Sequence, residues 1–146
     1  MSQTVRSLLD VNVLIALLDA DHASHRTAIA WFTEHAADGW ASCPITENGC
    51  VRIMSHPSYP NAPPATAVVE RLRGATAHTA HQFWPDDVSL LDGHLIDAAR
   101  IHGPRHLTDA YLLALAVKNG GRLVTFDGAI PTTAVVGAKP RHLLSL

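Results

Sequence analysis

The sequence predicts an α/β fold, with a central, mainly parallel sheet of about four to five strands lying between helices. Three observations lead there. Short apolar runs alternate with stretches of helical periodicity along the whole chain. Two of those runs, Ser7-Leu8-Leu9 and Arg122-Leu123-Val124-Thr125-Phe126, stop at an aspartate, Asp10 and Asp127 respectively. Glycine and proline breaks fall between these units: Gly39, the 56–64 loop, Gly103-Pro104 and Asn119-Gly120-Gly121. In an open α/β sheet, ligands bind beyond the carboxyl ends of the strands. Acids delivered to that rim are therefore the first residues to follow.

Residues 5–10 read as a buried strand, and Val13, Leu14, Ile15, Leu17 and Leu18 as a short core helix over 12–19. Asp21 or Ser24 is the expected cap of the next helix. That helix spans Thr27 to Ala37, with Ala28, Ile29, Trp31, Phe32 and Ala36 at three- and four-residue spacings. Residues 40–43 form a second short strand. Pro44 then leads into a helix over about Ile45 to Met54, with Glu47 in its first turn. Residues 56–64 hold four of the nine prolines, which removes backbone donors and makes a loop. A helix from about Ala65 to Arg73 is expected to stop at Gly74. Gln82-Phe83-Trp84, closed by Pro85, reads as a strand near an edge. Residues 92–102 read as a helix broken by Gly103-Pro104. Thr108 is expected to cap a strong helix, Asp109 to Lys118, ended by Asn119-Gly120-Gly121. Strand 122–126 and a last short strand within 142–146 complete the pattern.

Composition narrows the function. At 146 residues, 47% apolar and 16% charged, the chain suits one domain over 1–146 with a substantial core and does not read as disordered. A net charge of −2 excludes nucleic-acid binding by bulk positive charge, so such a partner requires a local basic strip or a metal ion. Cys43 and Cys50 lack a Cys-x-x-Cys spacing and read as reduced thiols. The first residues lack an apolar leader, and no apolar run approaches the ~20 residues of a membrane helix. The expectation is a soluble cytoplasmic protein without a membrane partner.

The chemistry lies in the acids. Asp10 and Asp127 end strands, while Glu47 and Asp109 open helices. If those helices start at the same sheet edge, all four carboxylates converge. Converging like charges oppose one another's ionisation, and a hard divalent cation with oxygen ligands removes the conflict. Taken singly, each acid is an ordinary turn, cap or first-turn residue. The combination makes them candidate ligands.

The segments Leu-Leu-Asp10-Val-Asn-Val-Leu-Ile, Thr46-Glu47, Leu-Thr-Asp109-Ala-Tyr-Leu-Leu-Ala-Leu-Ala and Leu-Val-Thr-Phe-Asp127 occur in this order across nearly the whole chain. Together they resemble the PIN-domain ribonucleases, and among them the VapC toxins of VapBC toxin–antitoxin pairs. The stretch Glu47-Asn-Gly-Cys-Val-Arg-Ile-Met-Ser-His-Pro resembles the second-acid helix of that subfamily. The resemblance implies a PIN-like α/β/α sandwich over 1–146 and an endoribonuclease dependent on Mg²⁺, with Mn²⁺ possible. It implies Asp10, Glu47, Asp109 and Asp127 as the acidic set, with Asp10 and Asp109 as the most direct metal ligands. Asn12 and Thr125 match polar supporting positions. It also implies a VapB-type antitoxin, a homodimer, toxin–antitoxin hetero-oligomers and an RNA substrate.

Other features carry less. Arg26, Arg52, Arg105 and Lys118 are candidates for RNA phosphates. The pairs His22/His25, His78/His81 and His102/His106 suggest zinc, but no further ligand completes a site at normal spacing. Trp31 and Phe32 fit core packing or a partner groove. Two rival functions stand beside the main one. A haloacid-dehalogenase-like phosphohydrolase is suggested by Asp10-Val11-Asn12-Val13, although Asn12 replaces the second acid. The other rival is a non-catalytic PIN-like module that binds RNA or protein.

Overall fold

The structure is a computed structural model, described here for residues 4–146. Met1, Ser2 and Gln3, part of the N-terminal segment read above as lacking a leader, lie outside the described residues. Five strands form one all-parallel sheet in the order β3-β2-β1-β4-β5. They are β1 (Ser7–Leu9), β2 (Trp40–Ser42), β3 (His81–Phe83), β4 (Arg122–Thr125) and β5 (Leu143–Ser145). Helices α1 (Val11–Leu18), α2 (His25–His35), α3 (Pro44–Met54), α4 (Ala65–Thr76) and α5 (Leu107–Lys118) make the crossovers and cover the faces.

Burial follows position in the sheet. Strands β1 and β2 are buried along their whole length, while the edges β3 and β5 are partly exposed. This is why the inner strands read as continuous apolar runs and the outer ones do not. One core layer packs Leu8, Leu112, Leu113, Leu115 and Leu123 under α5. The other packs Leu9, Val13, Ile15, Met54 and Val68 under α1, α3 and α4. Glycine permits the tightest helix contact. A Cβ at Gly49 would lie 2.8 Å from a Val11 methyl, so only glycine lets α3 close onto α1 beside the rim.

The chain runs outward from β1 to β2 and β3, then returns to the other side of β1 for β4 and β5. The topological switch point is therefore the β1/β4 boundary, where Leu9 lies opposite Val124. Helix α5 precedes β4 and runs back across the sheet, so its N-terminus stands at the carboxyl rim.

Three expectations change. Residues 92–102 hold turns, a bridge between Ile96 and Val135 and a single 3-10 turn at Ala98–Arg100, not a helix. Asp92 and Asp97 each accept a hydrogen bond from the backbone N–H two residues on, at 2.9 and 3.2 Å, and such local bonds compete with helix. Gly74 does not end α4, which continues to Thr76. Helix α5 begins at Leu107 behind His106, so Thr108 lies inside it instead of capping it. Ser24 does stand at the N-cap of α2, but its side chain makes no capping bond.

Candidate active site

Asp10 leaves β1 and becomes the N-cap of α1, where its Oδ1 accepts the Val11 N–H at 2.7 Å. Its backbone N–H donates to the Val124 carbonyl at 2.9 Å, so the last rung of the β1/β4 ladder fixes the turn. Asp10 as a whole is 7% exposed. Burial pushes its pKa up, and the charge of Asp127 adds in the same direction. The Thr125 hydroxyl and the Val11 N–H partly offset that rise.

Thr125, fully buried at the end of β4, is the hub of this corner. Its Oγ1 donates to Asp10 Oδ2 at 2.7 Å and accepts the Asp127 N–H at 3.0 Å. The Asn12 amide N–H₂ reaches the same oxygen at 3.4 Å, and Asn12 Oδ1 accepts the Phe126 N–H at 3.3 Å. Asn12 thus ties the first turn of α1 to the loop after β4. Asp127 Oδ1 accepts the Ala129 N–H at 2.8 Å, which sets its carboxylate in that loop.

Asp109 enters from the first turn of α5. Burial, then the charges of Asp10 and Asp127, push its pKa up to about 6, with His106 opposing. The three aspartates therefore lie within one another's fields at the switch point. The fourth acid sits one strand over. The first turn of α3 is set by Pro44 and by a reciprocal bond pair in which Thr46 Oγ1 accepts the Cys43 N–H at 3.0 Å. Glu47 Oε2 accepts the Ser42 hydroxyl at 2.6 Å, and Ser42 Oγ also lies 2.8 Å from His81 Nε2. Nothing local in the sequence marks Ser42, and His81 stands out only as half of the His78/His81 pair, because strand pairing brings the two together across 39 residues.

Among the described residues, no three His, Cys, Asp or Glu side chains stand as a ready-made metal cage. The donor set itself, several carboxylate oxygens near one another with hydroxyl and amide support, fits a hard divalent cation. Of the paired histidines, His22 and His78 use Nδ1 to accept a backbone N–H two residues on, at 3.0 and 3.1 Å, and so build turns. Trp31 packs in the α1/α3 core layer, stacked 5.1 Å from His35, with Phe32 edge-on to Trp40.

The basic candidates separate by place. Arg105 lines a cavity of about 260 Å³ with His106, Asp127 and Ala129, next to the aspartates. Lys118 lies at the other end of α5, 3.2 Å from Asp87. Arg26 and Arg52 are on α2 and α3. A larger cavity of about 660 Å³ lies away from the acids, between Asp19, Tyr59 and Arg71.

An all-parallel sheet with aspartates gathered at its switch point defines an α/β protein of the PIN-like kind with an acidic rim site. The PIN domain family model matches residues 7–136. Ribonuclease VapC44 of Mycobacterium tuberculosis is 52% identical over 142 residues, covering 97% of this chain and 100% of that protein. Ribonuclease VapC39 of the same organism is 46% identical over 132 residues, covering 90% and 95%. In the solved structure of M. tuberculosis VapC20, described as a sarcin-ricin loop cleaving toxin, the fold recurs with a TM-score of 0.59. Sequence identity there is 17%, covering 92% of this chain and 99% of that one. The chain belongs to the PIN domain family, among the VapC ribonucleases. The phosphohydrolase alternative falls with that membership, and Asn12 is spent on bracing the β4 loop.

Proposed function

We propose that this chain is a metal-dependent endoribonuclease toxin whose carboxylate rim holds Mg²⁺ or Mn²⁺ and cuts RNA. The observation that carries the reading is the gathering of Asp10, Asp109 and Asp127 at the β1/β4 switch point, where burial and the neighbouring charges raise the pKa of Asp109. A site that forces carboxylates together gains most from a bound cation. Asp10 and Asp109 are the residues to hold it, and Asp127 and Glu47 complete the shell or orient water. When bound, such an ion supplies Lewis acidity toward the phosphate and lowers the pKa of coordinated water. The chain's own part is geometry. Thr125 and the Val11 N–H aim Asp10, the Ala129 N–H aims Asp127, and Asn12 holds the two loops in register. Arg105 stands where it can meet a phosphate flanking the cut. Residues 1–146 act in this reading as a single PIN unit.

The relatives' naming as VapC ribonucleases supports RNA as substrate and a VapB-type antitoxin as inhibitor. A homodimer, hetero-oligomers with the antitoxin and a cytoplasmic site of action complete the proposal. No described helix is long and apolar enough to cross a membrane.

The test is cleavage of structured RNA by purified protein with Mg²⁺, with excess chelator, and by Asp10→Asn purified identically. Cleavage is expected with Mg²⁺, none with chelator, and a loss of about 100-fold or more in the variant. Cleavage that survives the chelator, or full activity in Asp10→Asn, overturns the reading. A non-catalytic RNA-binding module would instead retain RNA without cutting it.

A further inference from the structure

Beyond the aspartates, three polar side chains form a chain at the β2/β3 end of the rim. Ser42 Oγ lies 2.6 Å from Glu47 Oε2 and 2.8 Å from His81 Nε2. A serine hydroxyl has one proton and can accept through its lone pairs. Ser42 donates to the carboxylate, and with the imidazole protonated at Nε2 its oxygen accepts from His81, so that in this tautomer the relay runs from imidazole to hydroxyl to carboxylate.

The surroundings hold this relay in place. Ser42 is fully buried on an inner strand whose position suits an apolar residue, and a hydroxyl there costs free energy unless bonded. Trp40 and Ser42 share one face of β2, and Trp40 pairs with His81 across the ladder. The His81 ring meets the Trp40 ring edge-on at 4.5 Å. Arg6 Nη1 donates to the Trp40 and Ala80 carbonyls at 3.0 and 2.7 Å, which pins the backbone immediately before His81. Packing alone would be met by a phenyl ring at 81 and a methyl at 42. The Ser42 hydroxyl serves Glu47, and the His81 ring, which also bonds the Thr76 backbone, backs the hydroxyl.

We infer that Ser42 and His81 are positioning residues for Glu47: they anchor its Oε2 and leave Oε1, which has no protein donor among the described residues, to the reacting groups. The inference rests on the reading of Glu47 as part of the ribonuclease site.

The experiment is steady-state RNA cleavage with Mg²⁺ by the full chain carrying S42A, S42T, H81F, H81Q, E47Q and the double variant S42A/E47Q. H81F keeps the ring against Trp40 and removes the donor, while H81Q restores one. We expect S42A and H81F to lower kcat about tenfold with KM within about twofold, the size of a lost bond to a charged group. S42T and H81Q should recover most of that loss. The double variant should be no slower than E47Q, because the relay acts only through Glu47. The inference is overturned if E47Q is impaired while S42A and H81F keep normal kcat, or if S42A and E47Q losses multiply. Normal kcat in E47Q instead removes Glu47 from the proposed site. If S42A melts far below the parent, H81F and its recovery in H81Q decide the matter.

Discussion

The two halves of the rim treat a carboxylate in different ways. On the β1/β4 side, Asp10, Asp109 and Asp127 are brought together from two strand ends and one helix start, and their charges add. Thr125 stabilises Asp10 by a hydrogen bond, and among the described residues no ion pair joins any of the three aspartates to a basic side chain, although Arg105 lines the cavity beside Asp127. On the β2/β3 side, Glu47 is alone and is steadied by the hydroxyl of Ser42 with His81 behind it. The first half is electrostatically incomplete and suited to a cation. The second has one carboxylate oxygen bonded and is suited to aiming the other. The difference follows from topology, because the switch point lies between β1 and β4 and Glu47 arrives one strand outside it.

Breaking the incomplete half should have the largest effect. Asp109→Asn is expected to slow cleavage about 100-fold or more while raising the melting temperature of the metal-free protein at pH 7. The sign follows from linkage. The folded state holds the Asp109 proton up to about pH 6, whereas the unfolded chain releases it near 4. The unfolded state therefore binds fewer protons in that window, and stability falls as pH rises from about 4 to about 6 and then levels. Asp10, whose pKa is also raised, acts in the same direction. The Asp109 contribution is on the order of 1–2 kcal/mol after allowance for solvent screening, and chelator-treated melts across pH 4–8 should show it flattened in Asp109→Asn.

Loosening the hub comes next. Thr125→Val keeps the shape and removes the hydroxyl, which leaves a buried carboxylate oxygen without its donor. Cleavage should fall about tenfold and stability by about 1–3 kcal/mol, read by denaturant unfolding. Asn12→Ala removes weaker bonds of 3.3 and 3.4 Å and should cost only about threefold in rate. Lys118→Ala, at the far end of α5, should leave both rate and its salt dependence unchanged, whereas Arg105→Ala should reduce the salt dependence of RNA binding.

Much of this was legible in the chain. The acids Asp10 and Asp127 could be read because β1 and β4 are inner strands with apolar centres, Leu8-Leu9 and Leu123-Val124, followed within three residues by an aspartate. Helix α5 was legible from its apolar content, and its acid from the first turn. The turns over 92–102 were not, because Ile96 and its neighbours carry apolar spacing while Asp92 and Asp97 divert the backbone. Glu47's separate standing was also hidden. Its partners Ser42 and His81 meet only through the β2/β3 register, which no local pattern encodes. The family resemblance marks Thr125 as a supporting position, but its contact with Asp10 spans 115 residues and needs the fold.

The most direct test of the central claim is calorimetric titration of Mn²⁺ and Mg²⁺ into the metal-free protein, Asp109→Asn and Glu47→Gln. A cation held by the aspartates of the β1/β4 half predicts that Asp109→Asn weakens binding at least about tenfold, while Glu47→Gln stays within about threefold of the parent. Equal binding by the parent and Asp109→Asn, or a larger loss from Glu47→Gln than from Asp109→Asn, would contradict it.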